Sequence, residues 1–290
     1  GHWLMALRVF QDFAHSGLSV GCSSASFVCN AAISACASGG QWRSSSSFLA
    51  DMTSWLVRPD AVSYSGAVTA CEKSSTWQAA MTLYKSMREA TRMDMVSYGA
   101  VVSACEKGLR WQLACGLLSE LLWSSVVVSL IVCNAVASAC APVGQWQRVV
   151  LLLNGTLNLA LRPDVISCNA AITAFEKSLR WRQAIQIVAD ITSPDLISCN
   201  AGISACGGSG RWRHALFMQH VMHGLMLAPD LVTHSAAVSA CARANRWPPA
   251  LLALHLLREE RFRPEDIAYN SAISSFESSA RWQEAIQVLA

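Results

Sequence analysis

Asparagine stands at Asn30, Asn134, Asn169, Asn200 and Asn270, each time inside an apolar stretch such as "VISCNAAITAF" (165–175). An amide packs poorly, because a buried one without partners costs free energy, and asparagine is a mediocre helix former. Its recurrence in one setting means that something there needs an amide. A carboxylate accompanies it at near-constant distance, as Asp60, Asp94, Asp164, Asp195 and Asp230, then Glu265. Ser65, Ser235 and Gly99 replace the amide elsewhere, and Ser129 replaces the carboxylate. Each group also has a purely structural use. Aspartate just ahead of a helix caps its free N–H groups and meets the positive end of its dipole. The asparagines could bond the backbone of a neighbouring segment.

Other chemistry finds no foothold. The chain has no paired carboxylates at catalytic spacing, no H-E-x-x-H, no G-x-S-x-G, no phosphate-cradling glycine loop and no deaminase H-x-E…P-C-x-x-C set. A binding protein without cofactor is the expectation, not an enzyme. Ten of the 12 cysteines fall on two recurring places. Cys29, Cys133, Cys168 and Cys199 share one with Tyr64, Tyr98, Tyr269 and His234; Cys36, Cys71, Cys105, Cys140, Cys206 and Cys241 share the other with Phe175 and Phe276. A place that exchanges cysteine for an aromatic is a buried packing place, where free cysteine acts as a small hydrophobe. Disulfides and zinc are disfavoured, and a reducing compartment follows. "NGT" at 154–156 is then a chance match to a glycosylation acceptor.

The elements that position these residues repeat. Tryptophans at 42, 77, 111, 146, 181, 212, 247 and 282 are spaced 35, 34, 35, 35, 31, 35 and 35. Starting each copy sixteen residues before its tryptophan gives repeats 26–60, 61–94, 95–129, 130–164, 165–195, 196–230 and 231–265, with partial copies 1–25 and 266–290. Within 165–195, Ile166, Ala170, Ile172 and Phe175 recur at helical spacing, and a second helix is predicted from about Trp181 through Ala184, Ile185 and Val188. A closing "PD" ends most units, since proline cannot continue a helix. One helical hairpin cannot cover its own apolar face, so neighbours must stack into an all-α array winding in one hand or the other. The tryptophans are expected to pack between hairpins. The unit 165–195 is four residues short, about one turn, so its second helix should be clipped. Both ends of the chain cut through a second helix, which suggests a part of a longer array.

Composition agrees. Apolar residues make up 53% and charged ones 14%, too dry for disorder, and the net charge of +3 permits a polyanionic partner without demanding one. Leu121–Gln147 lacks Asp, Glu, Lys and Arg, but Pro142, Gly144 and repeat-matching "VCNAVASAC" mark it as soluble core, not a membrane span. No signal or transit segment is visible.

The units lack the W-x-x-L-G-x-x-Y of a tetratricopeptide repeat. With "ISCNAAITAFEK", a helix-breaking turn, "W-x-x-A" and a closing "PD", they resemble the pentatricopeptide repeat over nearly the whole chain. That resemblance implies a right-handed superhelical solenoid of antiparallel helix-turn-helix repeats of about 35 residues. It also implies sequence-specific binding of single-stranded RNA, one base per repeat, each read by two or three side chains. The reading places would be Asn30, Asp60, Ser65, Asp94, Asn134, Asp164, Asn169, Asp195, Asn200, Asp230, Ser235, Glu265 and Asn270. The second residue of each unit would wall the bases: Phe27, Val62, Val96, Ile131, Ile166, Ile197, Val232 and Ile267. Core packing would want such residues there equally. A carboxylate, which only accepts hydrogen bonds, prefers uracil N3–H or guanine N1–H. Asparagine leaves space for a pyrimidine and serine for a purine, so the implied target is U–G–x–U–U–U–x. Lys73, Lys107, Lys177 and Arg243, with Arg110, Arg180, Arg211, Arg246 and Arg281 ahead of the tryptophans, could meet phosphate or simply the negative ends of helices. The resemblance further implies an organellar setting, mitochondrion or chloroplast, with recruited processing enzymes as further partners. The alternative is a protein-binding scaffold on the same solenoid.

Overall fold

A computed structural model describes residues 22–54, 57–90, 94–124, 128–158, 161–259 and 266–277. Among them every regular element is an α-helix. They run α1 (Cys22–Ser38), α2 (Trp42–Ser54), α3 (Ala61–Lys73), α4 (Trp77–Ala90), α5 (Met95–Lys107), α6 (Trp111–Trp123), α7 (Leu130–Cys140) and α8 (Trp146–Asn158). Then follow α9 (Val165–Lys177), α10 (Trp181–Asp190), α11 (Leu196–Gly208), α12 (Trp212–Gly224), α13 (Leu231–Arg243), α14 (Trp247–Glu259) and α15 (Asp266–Glu277). Each second helix, α2 to α14, opens on its tryptophan. In the short unit, α10 has 10 residues where α12 has 13. No described helix is long and apolar enough to cross a membrane.

The chain forms two compact units, Gly1–Ala139 and Cys140–Ala290. In the first, α1, α3 and α5 stack in register and α2, α4 and α6 pack against them; in the second, α9, α11, α13 and α15 stack, flanked by α10, α12 and α14. Small residues line the stacked helices and let them approach. Cys71, Ala80 and Ala104 form one such cluster under Trp42, Ala79 and Leu83, and Val238, Ala253, Leu254 and Ala272 form another beneath Trp247 and Tyr269. At the closest approaches the methyl of an alanine would oblige a neighbour to shift. A Cβ on Gly66 would lie 2.8 Å from Ile33, and one on Gly207 would lie 3.0 Å from Ala240 Cβ.

The cysteines lie where their exchange for aromatics places them. Cys36, Cys71, Cys105, Cys140, Cys206 and Cys241 are free and buried, as is Phe175 at the same place, and Cys29, Cys133 and Cys199 are buried at the other place, as is Tyr64. Burial pushes the thiols of Cys105, Cys206 and Cys241 up to about 11, so they stay protonated and inert at neutral pH.

The turn between paired helices is built the same way each time. Two residues before the tryptophan the backbone turns left-handed, at Gly40, Ser75, Leu109, Gly144, Leu179, Gly210 and Asn245. In the turn after α3, the N–H of Thr76 reaches back to the Cys71 carbonyl, and Arg110, Arg180, Arg211 and Arg246 repeat that bond. This closes the orphan carbonyls of the first helix.

Candidate nucleic-acid interface

The recurring aspartates cap the first helices. A carboxylate oxygen accepts from the backbone N–H three residues on: Asp60 from Ser63 at 2.8 Å, Asp94 from Ser97 at 2.9 Å, Asp164 from Ser167 at 2.9 Å, Asp195 from Ser198 at 2.7 Å and Asp230 from Thr233 at 2.8 Å. Capping uses one oxygen and leaves acceptor capacity on the other.

The asparagines turn to these same carboxylates. Asn30 Nδ2 donates to both oxygens of Asp60 at 3.3 and 3.2 Å, Asn169 to both of Asp195 at 3.3 and 3.2 Å, and Asn200 to Asp230 Oδ1 at 3.2 Å. Each pair joins one first helix to the head of the next: α1 to α3, α9 to α11, α11 to α13. A hydroxyl completes each set. Ser63 Oγ donates to Asn30 Oδ1 at 2.5 Å, Thr233 Oγ1 to Asn200 Oδ1 at 2.6 Å, and Ser198 Oγ to Asn169 Oδ1. The asparagines therefore bond side chains of the next hairpin, not its backbone, which corrects the backbone alternative at these three places. Sequence reasoning missed the hydroxyls, although their D-x-x-[ST] spacing is a visible signal of a reciprocal cap.

The carboxyls of Asp60, Asp195 and Asp230 lie below their ordinary range. Burial pushes each upward, but hydrogen bonds from the following Ser or Thr and from the asparagine amide outweigh it. They are ionised at neutral pH.

Beside the polar sets stand bare apolar side chains. The second residues of the units, Phe27, Val62, Val96, Ile131, Ile166, Ile197 and Val232, are exposed, from 59% at Ile166 to 77% at Ile131. This removes the core-packing account of them. On a helix they share a face with the residue three positions on, which is the amide or its replacement. Each Asn–Asp set thus has its own unit's apolar residue on one side and the next unit's two residues beyond the aspartate.

No protein-family model matches the chain, and no curated protein matches it. Solved structures do. The whole chain superposes on 42% of the pentatricopeptide repeat protein PPR10 in complex with an 18-nt psaJ RNA element, with a TM-score of 0.81 and 17% identity. Another PPR10 structure, from maize, matches 98% of the chain over 45% of its own length, with a TM-score of 0.65 and 17% identity. The PPR domain of Arabidopsis thaliana protein-only RNase P 1, in complex with tRNA, matches 63% of the chain over 95% of its own length, with a TM-score of 0.51 and 14% identity. The fold is that of the pentatricopeptide repeat. The chain spans less than half the length of the PPR10 structures it matches.

The remaining residues singled out from the sequence vary in their surroundings. Asn134 is buried in the first unit, and Asp164 caps α9 in the second. Ser65 Oγ donates to the Val62 carbonyl at 3.0 Å and Ser235 Oγ to the Leu231 carbonyl at 2.7 Å, so both fold back on their own helices. A Cβ at Gly99 would make an ordinary van der Waals contact with Val132 at 3.9 Å. Asn270 is exposed on α15. Glu265 and Arg281 lie outside the described residues, as do the side chains of Ile267 and Phe276 and both partial copies' outer ends.

The cations divide. Lys107 Nζ donates to the Glu72 carbonyl at 3.3 Å and pairs with its carboxylate at 3.2 Å, and Lys177 pairs with Glu176 at 3.4 Å. Lys107 thus meets the negative end of the preceding first helix. The arginines ahead of the tryptophans stack instead on the preceding unit's ring, Arg110 over Trp77 at 4.3 Å, Arg180 over Trp146 at 3.7 Å and Arg211 over Trp181 at 5.3 Å. For these three, ring stacking is a use that sequence reasoning did not foresee.

Proposed function

We propose that the chain binds single-stranded RNA, one base per repeat, as a sequence-specific binding protein and not as a catalyst. The observation that carries this is the Asn–Asp set itself, held together beside exposed apolar side chains. Flat aromatic rings fit between apolar walls, and the groups at the edge choose among rings by donor and acceptor pattern. Asn Nδ2 spends one hydrogen on the aspartate and has a second to give; the carboxylate keeps lone pairs to receive. One donor beside one acceptor complements uracil, which offers a carbonyl oxygen and N3–H. Cytosine presents an unprotonated N3 to the carboxylate and is repelled. At Ser65 and Asp94 the smaller side chain leaves room for a purine, and the carboxylate selects guanine N1–H.

The polymer is taken as RNA because two structures of like fold, PPR10 and the RNase P 1 PPR domain, are complexes with RNA. Organellar processing, protection or editing of that RNA by recruited enzymes, in mitochondrion or chloroplast, extends the same reading. A protein-docking role would draw on the exposed Leu151, Phe217 and Leu252 of the second helices, away from the Asn–Asp sets.

The test is binding to pools of single-stranded RNA randomised opposite each repeat. Uracil should be enriched opposite the Asn30/Asp60, Asn169/Asp195 and Asn200/Asp230 repeats, and guanine opposite Ser65/Asp94. Asp195→Asn keeps a good cap but turns an acceptor into a donor, so it should move that one position from U towards C, by roughly 1–3 kcal/mol of discrimination. Asn200→Thr should move only its own position towards G. Uniform binding to all pools refutes the assignment.

A further inference from the structure

The hydroxyl three residues beyond each aspartate contacts the set in a way that capping alone does not explain. Ser63, Ser198 and Thr233 each reach the carboxamide oxygen of the preceding unit's asparagine as well as their own capping carboxylate. Ser97 has the same backbone cap, its N–H donating to Asp94 at 2.9 Å, yet its Oγ is buried without a hydrogen-bond partner. The difference lies one unit back. Where the other sets have asparagine, this one has Ser65, whose hydroxyl is spent on the Val62 carbonyl. The backbone N–H bond to the aspartate, which all four sets share, therefore does not by itself orient the hydroxyl; the amide does. At Gly99 and Ser129, where both reading groups are missing, the same place is Val132.

We propose that Ser63, Ser198 and Thr233 are positioning residues for base selection: each hydroxyl ties down the carboxamide oxygen, so that the asparagine can present only N–H to the base. The inference rests on the proposed reading of bases by the Asn–Asp sets. Its chemistry is that of a fixed amide orientation. An asparagine released from the hydroxyl can rotate its oxygen outward, and an outward oxygen accepts from the N4 amino group of cytosine as readily as N–H donates to the O4 of uracil. The hydroxyl touches no base. It acts through the amide, and its loss should erode discrimination between the two pyrimidines.

The experiment measures binding of single-stranded RNA oligonucleotides carrying each base in turn opposite the Asn200/Asp230 repeat. Thr233→Val, equal in shape but without the hydroxyl, should lower the U-over-C ratio there by about five-fold, the worth of one net hydrogen bond. Ratios opposite the Asn169/Asp195 repeat should not change, and Thr233→Ser should restore the lost one. If Thr233→Val weakens all four oligonucleotides alike and keeps the ratio, the hydroxyl is only a cap and the inference is overturned. A gain-of-function pair covers a folding defect in that variant. Ser65→Asn gives the orphaned Ser97 hydroxyl its partner and should switch that position from G to U. Ser65→Asn combined with Ser97→Ala should accept U and C nearly equally; equal U selectivity with and without the Ser97 hydroxyl also overturns the inference. Should the unaltered protein show no U preference opposite Asn200, the reading of bases has itself failed and this inference goes with it.

Discussion

At the scale of single residues, the aspartates do two jobs with one carboxylate, and their acidity exposes both. Asp60, Asp195 and Asp230 have folded values below the roughly 3.9 of an unfolded chain. A depressed carboxyl contributes stability that is present in full above the unfolded value and is lost as pH falls through the folded one. Urea unfolding followed at several pH values should therefore show the full contribution of these groups, unchanged with pH, between about pH 5 and 8 and its loss below about pH 4. Asp195→Asn should flatten part of that loss. The asparagines and aspartates were legible in the sequence because an amide in an apolar run has no packing excuse. The hydroxyls of Ser63, Ser198 and Thr233 were not, since serine and threonine near a helix start are ordinary. Only the fold brings them against an amide about thirty residues upstream, and only the structure shows Ser97 without a partner.

At the scale of elements, the turn between paired helices carries adjacent positions with opposite expectations. Leu109 is held at φ 53° and is largely exposed. A side chain with Cβ in the left-handed region costs about 1–2 kcal/mol, part of which glycine returns through the freedom of its unfolded chain. Leu109→Gly should raise stability by about 0.5–1 kcal/mol in urea melts. Gly108→Ala should do the reverse, because its Cβ would lie 2.5 Å from Trp77 Cδ1, and overpacking of this kind costs about 1–3 kcal/mol. The position of the turn and of the tryptophans followed from spacing. That Arg110, Arg180 and Arg211 lie on the rings did not, because cation and ring are one repeat apart in sequence and the same arginines precede helices that they leave without a side-chain cap.

At the scale of the whole molecule, charge is scarce and already partly committed. Lys107 is tied to Glu72 and three arginines lie on tryptophan rings, and 22 lysines and arginines against 19 acidic residues leave a net charge of only +3, so the excess of cation offered to a phosphate backbone is small. Binding to single-stranded RNA should weaken with salt, but log K against log salt should be no steeper than about −3, the value for four neutralised phosphates at about −0.7 each. A titration from low to moderate salt measures it, and a flat line would favour protein docking. In each unit by itself, the amide and carboxylate proposed to choose a base also lash one helix to the next. A letter cannot be rewritten without retying a joint, so recoding several neighbouring repeats at once should loosen the stack as well as redirect it, and variants that bind new messages will need reinforcement elsewhere.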